Sequence, residues 1–113
     1  MQSFDIFKIS GYNIARMKYK IIVAPDADAD LKRIRVYESA KIQDKIKEHL
    51  AHEPTKVGKT SIKKLRGLNK PQFRLRVDEH RIFYDVTKDE VHILAIVPKS
   101  EASEWLKREG KAK

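Results

Sequence analysis

A chain of 113 residues with a formal net charge of +9 is long enough for one hydrophobic core and too short for two. Its 41% apolar content argues for a folded domain, and the absence of cysteine excludes disulfides and thiolate metal sites. No apolar run reaches the length of a membrane span, and the opening MQSFDIFKIS lacks the basic start and continuous apolar stretch of a secretory signal, so a cytoplasmic protein is expected.

Residues 1–16 show no period and are expected to be an extension ahead of a domain over 17–109, with a basic tail at 110–113. Met17 to Ala24 (MKYKIIVA) predicts a first strand, rich in β-branched residues. Pro25 breaks it, and Asp26, Asp28 and Asp30 favour the start of a helix, because acidic side chains complement the positive end of the helix dipole. Ala27, Leu31 and Ile34 supply its apolar face. A second helix is expected from about Ser39 to His52, with the stripe Ile42, Ile46 and Leu50, and with the joint of the helical hairpin near residues 38–40. Pro54 ends it.

Lys56 to Pro71 (KVGKTSIKKLRGLNKP) is expected to be a basic connection. The period then changes from 3.6 to 2. Phe73, Leu75 and Val77 alternate with Arg74 and Arg76. After Asp78-Glu79, Ile82, Tyr84 and Val86 alternate again. After Lys88-Asp89 the run VHILAIV (91–97) is almost wholly apolar, as a central strand requires. Pro98 closes it, and Ser100 is the expected N-cap of a last helix over 100–108. The expected fold class is α+β, an antiparallel sheet packed against an N-terminal helical hairpin in the order β-α-α-β-β-β-α.

Charge is concentrated in one part of the chain. Between Lys56 and Tyr84 nine lysines and arginines stand against Asp78 and Glu79, which suggests a polyanionic partner. If Asp78-Glu79 and Lys88-Asp89 are tight turns, Arg76 faces Arg81, Arg74 faces Phe83 and Asp85 faces His92. That register puts Arg74, Arg76 and Arg81 together on the sheet face opposite Phe73, Leu75, Ile82, Tyr84 and Ile93, expected to be open to solvent. Two unit charges 4 Å apart repel by about 1 kcal/mol in bulk water and ~4 kcal/mol near a protein surface. Three clustered guanidinium groups therefore read as a site for an anion, and arginine is suited to bidentate phosphate contact. The alternative is three solvated arginines on an exposed face. The four histidines have no metal-ligand spacing, so no metal or other cofactor is expected. Trp105 on the last helix offers either a core anchor or a base-stacking platform.

KLRGL (64–68), FRLRV (73–77), HRIFYDV (80–86) and VHILAIVPKSEASEWL (91–106) resemble the RelE/ParE toxin family, and MKYKIIVAPDADADLKRI (17–34) is similar to its first strand and helix. The resemblance covers about residues 17–107 and lies closer to RelE. It implies the toxin of a type II toxin–antitoxin pair, with an acidic antitoxin, the ribosome and mRNA as partners. RelE-like members cut mRNA in the ribosomal A site; ParE-like members poison DNA gyrase. Carried over by motif, Arg74 and Arg76 match two basic positions on the second strand of RelE, and Arg81 matches the arginine that holds the scissile phosphate. Lys99 is the remaining candidate catalytic residue, and Lys64, Arg66 and Trp105 are further candidates for RNA contact. Where RelE has a catalytic arginine and a tyrosine, this chain has Ser100 and Leu106. A non-enzymatic toxin and a non-toxic antitoxin-binding relative are the alternatives to an endoribonuclease.

Overall fold

The computed structural model describes residues 18–58 and 61–112; the expected extension over 1–16 and the expected domain start at Met17 lie outside the described residues. The first strand, β1, is Lys20–Val23. Pro25 opens α1 (Pro25–Arg33), where its missing N–H leaves no bond unmade. Asp26 and Asp28 occupy the first turn and Lys32 and Arg33 the last, and Asp28 pairs with Lys32 at 3.0 Å.

The next helix, α2 (Val36–Leu50), starts earlier than expected. Ser39 N–H already donates to Arg35 O at 2.8 Å, and its hydroxyl accepts from Gln43 Nε2 inside the helix rather than capping it. The hairpin joint is therefore Ile34–Arg35, not residues 38–40. Apolar periodicity misses the first turn because Val36 and Tyr37 point into water, 87% and 79% exposed.

The expected connection over 56–71 contains two short strands, β2 (Ile62–Lys64) and β3 (Leu68–Lys70). Then come β4 (Phe73–Val77), β5 (His80–Val86) and β6 (Glu90–Pro98). The main sheet has the order β1-β6-β5-β4-β2. All its pairs are antiparallel except β1 with β6, which is parallel. The nearly all-apolar β6 accordingly has a strand on each side. Both expected turns form: Val77 pairs with His80, and Val86 with Val91. Asp78 adopts φ 51° at the first turn, a left-handed conformation that Asp tolerates better than most residues.

The helical hairpin covers one sheet face. Ala27, Leu31, Ile42, Ile46 and Leu50 pack there against Ile21, Leu75, Ile82, Tyr84 and Ile93. Tyr84 is fully buried and its hydroxyl donates to Pro54 O at 2.6 Å. Burial pushes the pKa of that phenol far up.

The other face is not wholly open. The last helix, α3 (Lys99–Glu109), lays Ala102, Trp105 and Leu106 over Phe83, Ala95 and Val97, joined by Leu65. Pro98, in extended conformation, is its N-cap, so Ser100 lies inside the first turn instead of capping it. After Gly110, Lys111–Ala112 form β7, which pairs with β3.

Candidate anion-binding site

The register brings the arginines together as expected: Arg76 opposes Arg81, and Arg74 opposes Phe83. Residues directly opposite one another in an antiparallel pair share a face. Their environments differ. Arg76 is exposed, Arg74 is half-buried, and Arg81 is only 7% exposed. Arg81 Nη1 donates to Asp78 O at 2.9 Å and to His80 O at 3.0 Å, so its guanidinium folds back over the β4–β5 turn. The expectation of an open-face Arg81 bonded only to solvent or ligand is corrected by these two bonds.

Arg74 is the unsatisfied member. Its Nε is buried and has no hydrogen-bond partner. Burial, followed by the charges of Arg81 and Arg76, holds its pKa below the usual arginine value. A buried donor without an acceptor costs about 1–3 kcal/mol. An anion against the accessible part of Arg74 and against Arg76 would offset the repulsion among the three guanidinium groups.

Two other expected site residues reach the same region. Lys99 begins α3, and its backbone N–H donates to Glu79 O at 2.6 Å, fixing it beside the turn that Arg81 binds. Its side chain is exposed. Trp105 stacks on Phe83 with ring centroids 4.8 Å apart and planes 3° apart, so it lies over the strand position opposite Arg74. Trp105 is thus a packing anchor on the arginine face.

Lys64 and Arg66 are placed differently. Lys64 opposes Phe73, a core residue, which turns it to the sheet side away from Arg74. Arg66 is exposed in the turn before Gly67. The residue opposite Arg74 is Lys63, also exposed. Lys63 is not legible as a site residue in the sequence, because a three-residue strand gives too little alternation to fix its face.

Asp85 and His92 are engaged with other partners. Asp85 faces His92 as expected, yet the His92 ring bonds Glu90 Oε1 at 3.0 Å. Asp85 Oδ1 instead accepts Gln72 N–H at 2.8 Å, and Gln72 Oε1 accepts Val86 N–H at 2.9 Å. This clip fixes the approach to β4 on the end of β5, and burial raises the Asp85 pKa. Ser100 is exposed, and Leu106 packs on the α3 side. No described helix is long and apolar enough to cross a membrane.

The profile of a family described as ParE toxin of type II toxin-antitoxin system, parDE, matches residues 21–102. Curated proteins give no match. Among solved structures, the chain superposes on the archaeal RelE–RelB complex of Pyrococcus horikoshii OT3 with a TM-score of 0.61 and 21% identity, over 74% of this chain and 97% of that one. The RelB–RelE antitoxin–toxin complex of Methanococcus jannaschii gives 0.58 and 22%, over 74% and 95%. The YoeB dimer of Staphylococcus aureus gives 0.53 and 21%, over 69% and 93%. At these identities the likeness is one of fold.

Proposed function

We propose that this chain, which belongs to the ParE toxin family of type II toxin–antitoxin systems, stops translation by cutting mRNA on the ribosome, a reading that rests on its arginine cluster and not on the family profile. The observation that carries the reading is the grouping of Arg74, Arg76 and Arg81 on one sheet face. The three groups form a cationic patch, and a backbone phosphate has the charge and the acceptor oxygens to bridge them.

Cleavage would proceed by attack of an RNA 2′-oxygen, its proton passing to water, on the adjacent phosphorus and rupture of the bond to the 5′-oxygen, leaving a 2′,3′-cyclic phosphate and a 5′-hydroxyl end. Negative charge then grows on the phosphate oxygens. Arg81, held by the Asp78 and His80 carbonyls, and Arg74 would stabilise it on this reading. Lys99 at the start of α3 is the proton donor to the leaving oxygen, and Arg76 steers the strand.

A second reading is supported by two observations. The family profile is that of ParE, and one nitrogen of Arg81 is already committed to two backbone carbonyls. On that reading the toxin poisons DNA gyrase without cutting RNA. Inducing the gene and mapping mRNA 5′ ends, with gyrase-linked DNA breaks scored in parallel, decides between them. New mRNA ends without DNA breaks support cleavage; DNA breaks with intact mRNA overturn it. The partner on either reading is an acidic antitoxin encoded beside the toxin, matched to the +9 charge and to the antitoxin-bound state of the RelE neighbours. Purification from the native host should bring it down as a tight complex; free toxin would exclude it.

A further inference from the structure

The arginine face is wider than the two strands that carry its arginines. Lys63 on the edge strand β2 is the direct partner of Arg74, so their side chains leave the same side of the sheet. Neighbouring strands lie ~4.8 Å apart, close enough for a lysine and an arginine to contact one phosphate or two successive ones. The next residue on that side of the strand end, Leu65, packs into the cluster under Trp105. A cationic row thus runs from the sheet edge at Lys63, through Arg74, to the Arg76–Arg81 pair, bordered by the Trp105–Phe83 stack.

The geometry points to Lys63 as a phosphate-binding residue: with Arg74 it forms a second phosphate subsite, one strand outward from the Arg76–Arg81 pair, for the single-stranded RNA backbone flanking the scissile bond. The assignment rests on the RNA reading above. It makes the ligand an oligonucleotide, because a mononucleotide fills one subsite only. The edge position matters as well. No strand pairs with β2 beyond the sheet among the described residues, so a nucleic-acid strand can leave the face there.

The chain supplies its own control. Lys64 carries the same charge one residue away but opposes Phe73 on the other side of the sheet. Binding of a fluorescently labelled oligouridylate is measured by anisotropy across a range of salt concentrations for wild type, Lys63→Gln, Lys64→Gln and Arg74→Gln. Lys63→Gln should lower the log–log salt slope by about 0.7, the value of one lost single-strand phosphate contact. Lys64→Gln should leave the slope at the wild-type value, and all variants should melt cooperatively. Equal losses for Lys63→Gln and Lys64→Gln would reduce the effect to net charge and overturn the subsite. An unchanged slope for Lys63→Gln beside a reduced one for Arg74→Gln would remove Lys63 and leave the RNA reading standing. Wild type without salt-dependent binding would overturn the subsite, while the RNA reading is decided separately by the mRNA ends on induction.

Discussion

Arg74, Arg76 and Arg81 share one sheet face and differ in almost everything else. Their grouping was legible in the sequence, because alternation and two short turns fix the register. Their environments were not, because burial on that face depends on where α3 docks. Arg81 ties the Asp78 and His80 carbonyls, so Arg81→Ala should lose stability as well as toxicity. At about 0.5–1.5 kcal/mol for each net hydrogen bond, the expected cost is roughly 1–3 kcal/mol, read as a lower melting temperature. A variant that melts with wild type would show that these bonds contribute nothing. Arg74 predicts the opposite sign. Its charged form is disfavoured in the folded state by burial and by Arg81 and Arg76, and guanidinium remains protonated at any neutral pH, so the penalty is present throughout that range. Arg74→Met keeps the length and removes charge and orphaned donor. It should melt at or slightly above wild type, within about 1 kcal/mol because the side chain is only partly buried, while RNA binding falls. A large loss of stability would mean that Arg74 holds the fold.

Elements with long periodic patterns were read well: both helices of the hairpin, β4, β5 and β6 appear where apolar spacing puts them. The misses are short or capped by backbone alone. β2, β3 and β7 have two or three residues, too few to alternate, and the start of α3 at Pro98 carries no side-chain cap for a sequence rule to find. The end of α3 is held by Gly110. A Cβ there would stand 2.5 Å from Leu106 O and 3.4 Å from Leu68 Cδ2. Gly110→Ala should therefore push β7 from β3 and loosen the last turn of α3. Hydrogen exchange should be faster at residues 106–112 and unchanged in β5; uniform protection would show that the turn yields without cost. The Asp85 clip gives a pH prediction. Its pKa is raised in the folded state, so its contribution is fully present below the ordinary value of 3.8 and is lost as pH rises through the folded value. Asp85→Asn keeps an acceptor for Gln72 N–H and removes the burial penalty on the charge. It should melt above wild type at neutral pH, with the advantage vanishing below the carboxylate range. A variant less stable at neutral pH would mean that the carboxylate charge itself is needed.

At the scale of the molecule, one core lies between the helical hairpin and the sheet, and a smaller one lies under α3. The fold class was readable because apolar periodicity specifies which faces must be covered. The second cluster was legible only in part, since Phe83, Ala95 and Val97 make their strands apolar on both faces without telling which element covers the second one. Among the described residues, both clusters are built from residues 19–106, and every strand of the main sheet finds its neighbours within residues 20–98. The tie before β1 is also internal: Lys18 and Tyr19 N–H both donate to Ala51 O, at 3.1 and 2.9 Å. A chain beginning at Met17 therefore retains these contacts and both clusters. Removing residues 1–16 should leave a cooperatively melting domain within about 1 kcal/mol of the full chain, a change of the size that separates surface from core substitutions. Toxicity on induction should persist if translation starts at Met17. A deleted chain that melts without cooperativity would place part of the core in residues 1–16, and a folded but harmless one would place part of the target-binding surface there.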